Sequence, residues 1–108
     1  MKLLLVILLF SVAICLLSCQ KSRIDVTFEL EHQLRVAESG NCPDISKLND
    51  SGYYEAERIG TNIAILYGKM GLASLLKQEG KDFRTAASEA IELDKQIKKD
   101  IEDFNSKH

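Results

Sequence analysis

The groups in this 108-residue chain best suited to covalent chemistry are its three thiols, Cys15, Cys19 and Cys42. A thiolate serves as a nucleophile, a metal ligand or a disulfide partner, depending on its neighbours. Catalysis by a thiol needs a base beside it, and the only histidines are His32 and the terminal His108. The chain contains no Gly-x-Ser-x-Gly turn. Two-histidine spacing, paired cysteines and an Asp-x-Asp-x-Asp-Gly loop are also missing, so neither a zinc nor a calcium site is expected. These absences predict a protein that is not an enzyme and holds no cofactor. What distinguishes the thiols is their setting. Cys15 lies inside an apolar run, Cys19 stands just past its end, and Cys42 adjoins the only proline, Pro43, in a polar stretch.

The run extends from Leu3 to Leu17, follows Lys2, and contains one polar residue, Ser11. Its fifteen residues reach about 22 Å as a helix, short of the roughly 30 Å of a bilayer core. One cation ahead of such a run is the shape of a secretory signal. With Leu16-Leu17-Ser18-Cys19 closing it, the segment resembles the signal peptide of a bacterial lipoprotein, in which cleavage falls before a lipidated cysteine. The resemblance implies a diacylglycerol thioether on Cys19 and acylation, such as palmitate, on its new amine. Two or more chains anchor stably, at about 0.8 kcal/mol per buried methylene. Gln20, in place of an aspartate, implies the periplasmic face of the outer membrane in preference to the inner membrane. The resemblance ends near residue 19. Domains are then expected at 1–18 (signal peptide), 19–23 (lipidated tether) and 24–108 (helical domain).

Loss of residues 1–18 leaves one small domain with little core to spare. Lys2 is the only charge removed, so the formal net charge of −2 becomes −3. No basic field exists to hold nucleic acid. Removal of Cys15 and lipidation of Cys19 leave Cys42 without a partner in its own chain. Three fates stay open for it: an intermolecular disulfide, a buried inert thiol, or a Cys19–Cys42 bridge if Cys19 carries no lipid.

Helices must position these groups. Ile24, Val26, Phe28 and Leu30 alternate with polar residues as a strand would, yet Leu30, Leu34 and Ala37 keep helical spacing. A lone strand would lack a partner, so a helix from Ile24 to Glu38, closed by Gly40, is expected. Residues 40–52 read as a loop, pinned by Ile45 and Leu48. A long helix follows over Tyr53–Gln78, with Asp50 or Ser51 as its cap and Gly80 as its stop. A third, capped by Asp82, runs to Asn105 and turns Phe83, Ala86, Ala87, Ala90, Leu93, Ile97, Ile101 and Phe104 inward. Asp94/Lys98, Lys98/Glu102 and Lys99/Asp103 are spaced to pair on its outer side. The stretch from Gly80 to Asp94 resembles half a tetratricopeptide unit, but only one copy occurs and a solenoid needs several.

The fold expected is all-α, a small three-helix bundle after a cleaved signal helix. Its central helix carries Ile59, Ile63, Leu66, Met70 and Ala73 along one face, and Ile65, Leu72, Leu75 and Leu76 elsewhere. A helix apolar nearly all round must be covered nearly all round, and two neighbours cover about two thirds of it. Gly60, Ala64, Gly68 and Gly71 add a small-residue stripe fit for close helix packing or a partner face. These features predict a membrane-anchored protein that acts by contact with another protein or a second copy. Exclusion or immunity lipoproteins and accessory subunits of envelope machines share that format. The alternative is a carrier holding an apolar ligand among Phe28, Ile63, Leu66, Met70 and Phe104.

Overall fold

The computed structural model describes residues 21–107; the segment 1–18 and Cys19 lie outside them. Four helices make up this body: α1 (Arg23–Glu38), α2 (Ser46–Asn49), α3 (Tyr54–Gln78) and α4 (Arg84–Ser106). No strand occurs among the described residues, and the fold is the all-α bundle expected.

Helix α1 starts where the Ser22 hydroxyl accepts from the Asp25 amide at 3.2 Å. Val26, Leu30, Leu34 and Ala37 are buried, whereas Ile24 and Phe28 point to solvent. Only half of the alternating apolar set therefore reaches the core, as a 100° turn per residue requires. Buried Gln33 joins helix to loop by accepting from the Asp44 amide at 2.8 Å and donating to Glu29 at 2.8 Å.

Helices α1 and α3 end alike. Gly40 (φ 85°) donates to Ala37 O and Asn41 to Val36 O; Gly80 (φ 71°) donates to Lys77 O and Lys81 to Leu76 O. This paired closure needs a left-handed residue, which glycine supplies without strain.

The loop contains a helix the periodicity did not reveal. Asp44 accepts from the Ser46 amide at 3.0 Å and its hydroxyl at 2.7 Å, opening α2. These bonds hold the Asp44 carboxyl below the usual carboxylate range. Ser51 does not cap α3; buried, it donates to Leu48 O at 2.7 Å and accepts from the Tyr53 amide at 3.3 Å. Tyr53 occupies the cap position of α3 without a side-chain bond. Similarly, Phe83 stands at the cap of α4, and Asp82 acts from one residue upstream, accepting from the Arg84 amide at 3.1 Å.

Ala86, Ala90, Ile97, Ile101 and Phe104 of α4 are buried, with Phe83, Ala87 and Leu93 half-buried around them. They close on Val26, Leu30, Leu34, Ile59, Ile63 and Leu66. Lys98 pairs with Asp94 at 2.9 Å as spaced, and also reaches Glu38 of α1 at 3.2 Å instead of Glu102. Hydrogen bonding to Asp94 first, then to Glu38, raises the pKa of this ammonium. Lys99 and Asp103 form no ion pair among the described residues.

The two ends of the bundle are finished differently. At the end where α1 begins, the Arg23 guanidinium lies 4.7 Å from the Phe104 ring centroid and 4.9 Å from that of Tyr53. Those two rings meet edge to face at 5.4 Å. The Tyr53 hydroxyl donates to Lys21 O at 2.8 Å, tying the residues ahead of α1 to the start of α3. The other end is the turn around Gly80, where the Lys77 ammonium lies 5.5 Å from the Phe83 ring centroid and Lys81 pairs with Glu79 at 3.0 Å.

Candidate functional site

Length governs what happens toward that end. Helix α1 has 16 residues and α3 has 25, which at 1.5 Å per residue are about 24 Å and about 37 Å. Both start at the Tyr53 end, so α1 stops beside the middle of α3. Ser39 and Gly40, at its close, share a groove of about 470 Å³ with Tyr67, Gly68, Met70, Gly71 and Ser74. On the other side of Met70 a second groove, of about 360 Å³, is lined by Leu66, Ala90, Ile91 and Asp94. Beyond these grooves only α4 accompanies α3.

The consequence contradicts the expected two-thirds cover. Buried residues of α3 are Ala56, Ile59, Gly60, Ile63 and Leu66, and none follows. From Tyr67 to Gln78 no side chain is buried, although Met70, Leu72, Ala73, Leu75 and Leu76 lie there. Ile65 is 46% exposed, Leu72 50% and Leu75 51%. They share one side of the helix with Gly68, opposite Ile59, Ile63 and Met70. The open side is contiguous and apolar. By length and composition α3 also suffices to cross a membrane, with mean hydropathy 1.3 over its most apolar window. Its first half, however, is packed inside the bundle.

The small-residue stripe divides at the same place. A Cβ on Gly60 would meet Leu48 Cδ1 at 3.0 Å and Leu48 Cβ at 3.3 Å, so α2 approaches α3 closely there. Ala64 is half-buried. Gly68 and Gly71 have nothing within 4 Å of the corresponding point. One half of the stripe meets a neighbour within the chain, and the other half meets none.

Cys42 is exposed, its Sγ 3.8 Å from Pro43 O. The buried-thiol fate is thereby removed. His32 is exposed as well, and no group of three His, Cys, Asp or Glu side chains among the described residues is arranged to hold a metal. The five residues of the carrier alternative do not line one cavity. Phe28 is 63% exposed and outside the core, whereas Ile63, Leu66 and Phe104 are buried in it. Sequence reasoning missed the two grooves beside Met70, because their existence depends on where α1 stops relative to α3.

Asp94 is the one described side chain with a buried polar atom lacking a partner, its Oδ1, while Oδ2 binds Lys98. Comparison with protein-family models, curated proteins and solved structures finds no match to this chain.

Proposed function

We propose that this chain is a lipid-anchored envelope protein that works by contact with another protein and not by catalysis. The observation that carries the reading is the uncovered apolar half of α3, at the end of a bundle whose opposite end joins the tether. A soluble domain that leaves Ile65, Leu72 and Leu75 half open has a use for them outside itself. The pattern Lys2, Leu3–Leu17 and Ser18-Cys19 supports the address: periplasmic face, outer membrane in preference to inner. Exclusion or immunity at a cell envelope, or service as an accessory subunit of an envelope machine, is work of this kind, needing a surface and a location but no reactive centre.

Labelled palmitate tests the anchor. Incorporation into the wild type, lost in Cys19→Ala along with sedimentation in the membrane fraction, is the expected result. An unlabelled wild type, or a Cys19→Ala chain still held on membranes, contradicts it.

A further inference from the structure

We infer that the end of the bundle where α1 and α3 begin is itself a membrane contact, with Ile24 and Tyr54 seated in the headgroup layer of the bilayer that holds the lipid on Cys19. The contact rests on the lipid anchor and adds to it a surface of the folded body.

Reach decides it. Lys21 is the second residue after Cys19, and at about 3.5 Å per residue the two Cα atoms stand at most roughly 7 Å apart. Lys21 does not swing free, because its carbonyl accepts from the Tyr53 hydroxyl at 2.8 Å. Two residues on, Arg23 donates to Phe104 O at 3.2 Å and lies over the rings of Phe104 and Tyr53. The chain therefore leaves the body at a fixed point, beside the last turn of α4 and the start of α3. Headgroups add roughly 5–8 Å to each side of the hydrocarbon core. A body fastened within about 7 Å of an anchor at the hydrocarbon boundary has no room to stand clear of that layer.

The side chains at the exit suit the layer. Tyr54, next to the tyrosine that holds Lys21, is 79% exposed and shares a depression with Arg23, Gly52, Glu55 and Phe104. Ile24, three residues after Lys21, is 57% exposed. Neither belongs to the core. A ring with a polar tip is at home at headgroup level, and an aliphatic side chain near it gains by leaving water. Charge does not draw this end to lipid. Lys21 and Lys47 line one depression with Asp25 and Glu29, and Lys107 is tied to Glu55 at 3.2 Å. The contact therefore forms on zwitterionic phosphatidylcholine as fully as on an anionic lipid.

Full-length lipidated protein in phosphatidylcholine vesicles that carry a nitroxide on the headgroup tests this. A bimane fluorophore is attached to Ile24→Cys or Tyr54→Cys in the Cys42→Ser background, where lipid occupies the Cys19 sulfur. Ile91→Cys is the control, because Ile91 is also 57% exposed but stands about 20 Å from Phe104 along α4. Expected is quenching at Ile24→Cys and at Tyr54→Cys at least about threefold that at Ile91→Cys, unchanged by adding anionic lipid. Quenching at either site no stronger than at Ile91→Cys overturns the contact, and so does quenching that appears only with anionic lipid. Labelled palmitate is followed in the same preparations. Label present without quenching defeats this contact alone, and label absent defeats the anchor.

Discussion

The two halves of α3 are built from similar residues and meet opposite fates. Between Ala56 and Leu66 the helix buries five side-chain positions; between Tyr67 and Gln78 it buries none. Apolarity does not separate them, since Met70, Leu72, Leu75 and Leu76 match Ile59, Ile63 and Leu66 in character. Their neighbours do. The first half has α1, α2 and α4 around it, and the second outlasts α1 and keeps only α4. Burial is thus a property of the company a helix keeps, and an apolar stretch whose company runs out becomes a surface.

Truncation should separate the halves most strongly. Ile63, fully buried, is expected to cost about 2–5 kcal/mol as Ile63→Ala, whereas Leu72→Ala should stay within about 0.5 kcal/mol in dilute monomer. Urea denaturation of both variants checks this. Comparable losses would mean that the second half is covered within the monomer.

Glycine substitutions sharpen the contrast at a smaller scale. Gly71→Ala meets open space and gains helix propensity, so it should stabilise by about 0.5–1 kcal/mol. Gly60→Ala gains the same propensity but presses on Leu48 at 3.0 Å, and its net effect should be smaller or reversed. Thermal melts of the pair decide; an equal gain at both would remove the close approach of α2.

Cys42 belongs to neither half, and Cys42→Ser should alter stability by less than about 0.5 kcal/mol, as an exposed site allows. A non-reducing gel of intact cells separates the two fates left to it, an intermolecular bridge and a Cys19–Cys42 bridge within the chain. A heavier species that vanishes with reductant and in Cys42→Ser is expected for an intermolecular bridge.

The smallest effect is a pH slope at α2, the helix that covers only the first half. Hydrogen bonds from Ser46 lower the pKa of Asp44 in the folded state. Its contribution is therefore complete above the unfolded value of about 3.9 and disappears as pH falls through the folded one. Asp44→Asn should flatten the acid side of the melting profile, and an unchanged slope would assign that bond no role.

Much of this was readable beforehand. The helical spacing of Leu30, Leu34 and Ala37 and of Ile97, Ile101 and Phe104 located α1 and α4, and Gly40 and Gly80 marked the stops of α1 and α3 because a left-handed residue is needed there. Ser51 and Asp82 misled, since a short polar side chain near a helix start satisfies more than one orphan amide, and which one depends on the turn. Helix α2 was hidden because four residues are too few to show a period. The open surface was hidden for a deeper reason: the residues of α3 reveal that it wants cover, but only the packing of α1 against it reveals where cover ends. For Cys19, which lies outside the described residues, the sequence remains the whole basis of the assignment.

The direct measurement is maleimide reactivity at Leu75→Cys in the Cys42→Ser background, compared between native membranes and the isolated, diluted protein. If the second half of α3 is a contact surface, labelling should be slow in the membrane and fast after dilution, while Phe28→Cys reacts equally in both. Equal, rapid labelling of Leu75→Cys in both settings would show that nothing covers it, and contact through α3 would have to be abandoned.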